Sequence, residues 1–284
     1  NKEWVVTVRL SDYLNSNLPL KKIKIPEASY QEMMEWSHGS WMNFLKKYPE
    51  TNHMVSKMRY VSEKVNFLQP SASKLALREL YKGQCNCAYW HGVFGGLYLY
   101  HLRKAIYEHL INADKIVDEA LHKNKKDWRG IKEVDFYKDK TKSFIIESNN
   151  FSIYIDPARG GIIRELDYKP LSINLVNSLA RHEEEYHKKI LAKMGQSSDS
   201  NAVRTIHEDI KAVDPGLKGK FVYDKYIRGC LVDHFISENV TIDDFIDLKY
   251  EELGDFINDN YKAKIELDKV ALAIEGKVGG KTIA

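Results

Sequence analysis

Cys85, Cys87, Tyr89, Trp90 and His91, followed by Gly92, Gly95 and Gly96, crowd into one stretch, GQCNCAYWHGVFGGLYLYHLR, residues 83–103. Two thiols and an imidazole can ligate a metal, and a thiol beside an imidazole can act as a nucleophile. Flat rings of Tyr89, Trp90 and Phe94 beside Gln84, Asn86 and His91 suit a sugar, which has apolar faces and a rim of hydroxyls. Metal fits poorly, because structural zinc sites favour Cys-x-x-Cys pairs and four ligands, and no second pair exists. Cysteine is more often a small buried hydrophobe than a nucleophile. By spacing alone, an aromatic core with a satisfied histidine accounts for the stretch better than a sugar site does.

Elsewhere the chemistry is thinner. His182-Glu-Glu-Glu-Tyr-His187 is only superficially like a zinc-peptidase motif, since the second histidine comes one residue late and Tyr186 stands in its place. Asp233, Asp243 and Asp244 lie in polar surroundings and read as solvated. No general acid is nominated with its partner base, so the chain carries no predicted catalytic residue, metal or cofactor.

Composition limits what such a site can serve. In 284 residues, 43 Lys+Arg against 40 Asp+Glu leave a formal charge of +3, evenly spread. That is no footprint for nucleic acid, which needs basic residues gathered on one face. Three cysteines make no disulfide framework and fit a reducing, cytoplasmic location. No apolar run approaches the ~20 residues of a membrane span. Position 1 is Asn rather than Met, and the chain reads as a trimmed or internal piece of a longer polypeptide.

The elements that must hold the stretch follow from periodicity. Residues 3–9 read as a short β-branched strand with no evident partner, followed by a polar turn around Asn15 and Asn17. Ser29 and Glu32 match a capping box opening a helix at Met33, Met34 and Trp36. Met54, Met58, Val61, Val65 and Leu68 make one apolar stripe on a helix that starts after Pro49 and ends by Pro70. A shorter helix over 75–81 stops at Gly83. A long one keeps Tyr98, Leu102, Ile106, His109, Ala113, Val117 and Ala120 on one face through about Leu121.

Beyond the basic segment 122–130 the period becomes two. Strands are expected at 134–137, 143–147, 151–155 and 162–167, with turns at Lys138-Asp139, Asn149-Asn150 and Gly160-Gly161. A helix over 182–194, a polar loop over 196–201, strands at 220–226 and 262–267 and a weak Gly-rich tail over 276–284 complete the reading. The predicted class is α+β, a helical bundle followed by an antiparallel β-sandwich that ends early. Its parts are 1–26, the end of a preceding domain; 27–122, the bundle; 123–133, a linker; and 134–284, the sandwich.

The run 83–103 closely resembles the last conserved region of glycoside hydrolase family 57, the α-amylase and 4-α-glucanotransferase group. Further matches keep the family's order: residues 28–36 (ASYQEMMEW), 41–48 (WMNFLKKY) with 52–54 (NHM), 156–161 (DPARGG), 165–170 (ELDYKP), 186–187, 205–208 (TIHE) and 223–224. The resemblance implies a three-part enzyme with a (β/α) barrel, a helical domain and a β-sandwich, of which this chain is similar to the second and much of the third. It implies that the nucleophilic glutamate and acid/base aspartate lie in the barrel, in the same or a separate chain, and not here. A retaining glycosidase needs two carboxyls about 5–5.5 Å apart.

The resemblance further implies that Trp90 and His91 face an α-glucan (starch, glycogen or a maltooligosaccharide), with Tyr89 and Asn86 supporting them. Gly92, Gly95 and Gly96 would permit close backbone approach. The chain departs from the family at Cys87, where aspartate is usual, at Tyr100, where proline is, and at Met42, where arginine is. The alternative reading is a non-catalytic module that binds carbohydrate or protein through the same face. A homo-oligomer is left open.

Overall fold

The computed structural model describes residues 4–17, 21–24, 34–35, 37–68, 70–91, 95–123, 125, 127–193 and 215–284. The expected capping box at 29–32 with Met33 and Trp36, Gly92, Phe94, the loop 196–201 and the motif 205–208 lie outside the described residues.

Among the described residues no strand forms at the amino terminus: residues 5–9 carry no regular structure, and helix α1 (Leu10–Ser16) runs through the expected polar turn. A lone strand has no ladder for its amides, whereas the helix satisfies its own, and Ser16 and Asn17 side chains donate to the carbonyls of Asp12 and Tyr13. The bundle comprises α2 (Trp41–Lys47), α3 (Pro49–Asn66), α4 (Pro70–Gly83) and α5 (Tyr100–Leu121). Ser40 caps α2 by accepting the Asn43 amide at 3.1 Å. Met54, Val61 and Val65 of the expected stripe are fully buried in one cluster with Leu80, Leu97, Ile106 and Leu110. Helix α4 extends the expected 75–81 at both ends.

Strands β1 (Arg129–Val134), β2 (Ser143–Ser148), β3 (Phe151–Asp156), β4 (Ile162–Tyr168) and β5 (Ile173–Asn174) form an antiparallel sheet in sequence order. Asn149 and Asn150 make the expected tight turn between β2 and β3. The first strand begins at Arg129, inside the expected linker. At Gly160 φ is +84° and an added Cβ would stand 2.4 Å from the Ile257 carbonyl oxygen, so only glycine fits.

The expected strand at 220–226 is absent. After the 3₁₀ segment Pro215–Lys220 the chain is irregular through 226, and the strand-like pairing of that part of the chain with β4 among the described residues is the isolated bridge Ile163–Cys230. Helix α6 (Glu185–Lys193) starts later than expected, and α7 (Ile242–Ile246) is short. The expected strand at 262–267 forms as β6 (Lys262–Glu266), paired with β7 (Lys269–Ala273), and the expected weak tail instead closes a hairpin of β8 (Gly276–Val278) with β9 (Lys281–Ile283). Gly279 and Gly280 both have positive φ, which the two-residue turn of the last hairpin requires.

The α+β class therefore holds, with one five-stranded antiparallel sheet and two two-stranded hairpins among the described residues. One face of the sheet packs on α3, and the reason lies in its side chains. Antiparallel register puts Glu147, Ser152, Tyr154, Glu165 and Asp167 on that face. Opposite them α3 presents a second stripe, His53, Lys57, Tyr60 and Lys64, at steps of four and three. Lys57 Nζ lies 2.5 Å from Asp167, 2.8 Å from Glu165 and 2.5 Å from the Tyr154 hydroxyl, all buried. His53 Nε2 is 2.6 Å from Glu165 and its Nδ1 is 2.9 Å from the Tyr137 hydroxyl. Burial opposes the Lys57 charge, but Asp167 and Glu165 outweigh it and hold its pKa above the ordinary lysine value.

Farther along, Asp114 and Asp118 of α5 and Glu147 bring carboxylate oxygens within 4.8 Å of one another. The Lys64 ammonium pairs with all three, and Lys169 reaches Asp118 at 2.6 Å, so lysines supply the balancing charge.

Candidate functional site

The Gly83–Arg103 stretch leaves α4 through a 3₁₀ turn, Asn86–Ala88, passes the Trp90–His91 corner and enters α5 through a second turn, Gly96–Tyr98. The Leu97 amide donates to the Trp90 carbonyl at 2.8 Å. Gly95 and Gly96 have φ of +79° and +42°, and a Cβ on Gly96 would stand 2.1 Å from that carbonyl oxygen. The turn back onto Trp90 therefore exists because position 96 has no side chain.

Trp90 and His91, expected to face a ligand, and Tyr89 and Asn86, expected to support them, fall into two layers. Asn86 is exposed and Trp90 is half-buried, packed against the helical core from its edge. Tyr89 is buried, its hydroxyl donating to the Gly83 carbonyl at 2.6 Å, which pins the loop to the end of α4. His91 is also buried, its ring 4.8 Å from Tyr48, 5.0 Å from Tyr98 and 6.0 Å from Phe44 by centroid. Trp41 stacks on Phe44 at 5.3 Å and continues this aromatic wall to a half-buried ring.

Behind the wall sits Glu184, one residue of the motif set aside as a failed zinc site. Its carboxylate is buried, accepts the Tyr48 hydroxyl at 2.5 Å and the Tyr98 hydroxyl, and faces Lys47 Nζ at 3.6 Å and His91 Nε2 at 3.5 Å. Burial and this carboxylate push both tyrosine pKa values far above the ordinary phenol range. Burial pulls His91 down to about 4 against the attraction of Glu184, with Lys47 and His182 adding to the fall. The ring is neutral at pH 7.

The loop carrying Glu184 is locked on both sides. His182 lies 2.9 Å from Glu50, whose bond and charge outweigh burial and raise the imidazole pKa. Arg181 and Arg228 both clasp Asp224, and His187 Nδ1 lies 3.0 Å from the Tyr223 hydroxyl.

Sequence reasoning missed Glu184, Tyr48, Tyr98 and Lys47 as one unit. Each is unremarkable alone, and they meet only because α2, the Gly96 turn and the loop before α6 converge. The one available signal was the family-like run 41–48 beside the His182–His187 cluster.

Residues 135–284 match the family described as alpha-amylase/4-alpha-glucanotransferase, C-terminal, and residues 39–117 match its middle domain. The chain belongs to the alpha-amylase/4-alpha-glucanotransferase family. It is 36% identical to an alpha-amylase of Pyrococcus abyssi over 96% of this chain and 44% of that protein. With a 4-alpha-glucanotransferase of Thermococcus litoralis it shares 34% identity over 98% of this chain and 44% of the other. The crystal structure of 4-alpha-glucanotransferase from Thermococcus litoralis superposes with a TM-score of 0.72 at 31% identity, covering 95% of this chain and 41% of that one. The chain thus spans less than half the length of the relatives it matches.

Within this alpha-amylase/4-alpha-glucanotransferase chain, Cys87, Tyr100 and Met42, the three departures from the family pattern, are all exposed. None of them leaves a buried charge without its partner.

Proposed function

We propose that this chain is the helical and β portion of an α-glucan-processing enzyme, a retaining hydrolase or 4-α-glucanotransferase, and that the Trp41–Trp90 edge is one wall of its sugar groove. The observation that carries the reading is the two-layer build of the corner. Trp90 offers a partly exposed ring, while the buried His91, Tyr48 and Glu184 and the partly buried Tyr98 form a polar network behind it. Flat apolar surface with hydrogen-bonding groups fixed beside it suits a glucose ring. Asn86, exposed on the preceding turn, is placed to meet hydroxyls.

Glu184 is not assigned catalysis, because its oxygens are engaged by two phenols and it is shut from solvent. The two reacting carboxyls belong to the barrel, in the same or a separate polypeptide, which is the proposed partner. His91 and Tyr89 then support the wall from inside instead of touching sugar. A cytoplasmic location accords with three free, exposed cysteines. No helix among the described residues is long and apolar enough to cross a membrane.

The test mixes the chain with a separately produced family barrel and follows maltooligosaccharide cleavage and transfer, alongside calorimetric titration of the chain alone with maltoheptaose. Activity that depends on this chain and falls with Trp90→Ala at unchanged stability supports the reading. Unchanged activity in Trp90→Ala removes the sugar wall. Sugar binding with no activity beside any barrel favours the non-catalytic module.

A further inference from the structure

His187, the last residue of the motif set aside as a failed zinc site, has its ring fixed in one tautomer. The Glu184 amide donates to His187 Nδ1 at 3.2 Å, and the His187 amide donates back to the Glu184 carbonyl at 3.0 Å. A backbone amide can only donate, so Nδ1 is an acceptor and the ring proton sits on Nε2. The Tyr223 hydroxyl, 3.0 Å from the same Nδ1, donates to it as well. Burial holds the imidazole pKa below its ordinary value, against the attraction of Glu184 and Glu183, and the ring is neutral at pH 7.

The protein leaves the other side of the ring unused. His187 is half-buried, and among the described residues no acceptor meets its Nε2, which reaches the surface. Tyr186 and Phe221 each lie 4.7 Å from the imidazole by centroid, and Tyr223 stacks on it at 5.7 Å and 12°. All three rings are half-buried, so the free N–H stands among flat apolar surfaces. Glu184 ties this group to the Trp90 corner: its amide fixes His187, while its carboxylate accepts the Tyr48 and Tyr98 hydroxyls behind that corner.

The geometry points to His187 as a further sugar-contacting residue, donating from Nε2 to a glucan hydroxyl while Tyr186, Phe221 and Tyr223 supply apolar surface to the sugar ring. Charge selects the ligand class. A neutral donor flanked by Glu183 and Glu184 offers no attraction to a phosphorylated or carboxylated sugar, and a hydroxyl oxygen needs none. The bonds to Nδ1 orient the donor before any ligand arrives, so little ordering is lost on binding. The inference rests on the sugar-groove reading and extends that groove from the bundle to the first turn of α6.

The test supplies the family barrel and compares variants on maltoheptaose. His187→Phe keeps a flat ring but removes the donor, and should raise KM by about three- to tenfold with kcat changed by less than about twofold. His187→Gln, whose side-chain amide can donate from the place of Nε2, should stay near the unaltered chain. Long-range proton–nitrogen NMR of the histidine-labelled chain should show His187 as the neutral Nε2–H tautomer at pH 7, with its Nε2 shift moving when maltoheptaose is added beside the barrel. An Nδ1–H tautomer, or an Nε2 shift unmoved by the sugar, overturns the assignment. So does a KM in His187→Phe equal to that of the unaltered chain, or a loss that His187→Gln does not restore. If Trp90→Ala impairs the enzyme while His187→Phe does not, this contact alone fails; if neither does, the sugar wall fails with it. Should His187→Phe not fold, the NMR titration of the unaltered chain decides.

Discussion

Lys57 Nζ lies 2.8 Å from Glu165 Oε1 with both side chains fully buried, a helix ammonium and a sheet carboxylate separated by more than a hundred residues of chain. With His53 and Asp167 they make the bundle–sheet joint an ionic layer and not an apolar one. Such layers are weak evidence for stability as a whole, but removing one member strands the rest.

Lys57→Met should accordingly destabilise the chain by about 3–5 kcal/mol, because Glu165 and Asp167 would remain buried without their cation. Urea unfolding followed by circular dichroism measures this. A loss under about 1 kcal/mol would mean that water enters the joint and screens it.

His91 sets a pH dependence whose sign is determined. Its folded pKa of about 4 lies below the 6.5 of an unfolded histidine, so between those values the unfolded chain binds more protons. The neutral ring's contribution is present above pH 6.5 and is lost as pH falls toward 4. His53, also depressed by burial, acts in the same sense, whereas His182, raised by Glu50, acts in the opposite one. Denaturant unfolding between pH 4 and 7 should show stability rising with pH, and His91→Gln should reduce the slope by at most ~1.4 kcal/mol per pH unit. An unchanged slope would mean that the ring is solvated.

Glu184→Gln preserves shape but replaces one acceptor oxygen with a donor facing a phenol, and leaves Lys47 without its carboxylate. The expected loss is about 2 kcal/mol in unfolding free energy, with the Tyr48 and Tyr98 ionisations moving toward ordinary values in a spectrophotometric alkaline titration. Tyrosine titration identical to the unaltered chain would contradict the described contacts.

Gly96→Ala should cost about 2 kcal/mol or more, since the new methyl would meet the Trp90 carbonyl and the backbone would have to leave φ of +42°. The thermal midpoint should fall, and the fluorescence contributed by Trp90, isolated by difference from Trp90→Phe, should change. A neutral substitution would show that the turn can re-form elsewhere.

How much was legible follows from the range over which each signal acts. The stripe of Met54, Val61 and Val65 and the Asn149-Asn150 turn are written in neighbouring residues, and they formed where expected. The strand at 220–226 failed because alternation supplies a face but no partner. The tail hairpin was underrated because its glycines read as weakness when they were supplying the turn.

The sequence by itself determined the helical bundle, the antiparallel strands and, through the order of rare motifs, the family. Whether a polar side chain meets water or another charge was left to the tertiary structure. Lys57 and Asp167 look solvated one at a time, and so do Glu184 and Lys47. Packing brought the first pair together across 110 residues of sequence, and it buried His91 while leaving Trp90 at the edge. Local periodicity encodes which face of an element is apolar. The partner of a charge depends on which elements are stacked, and no short-range pattern carries that information.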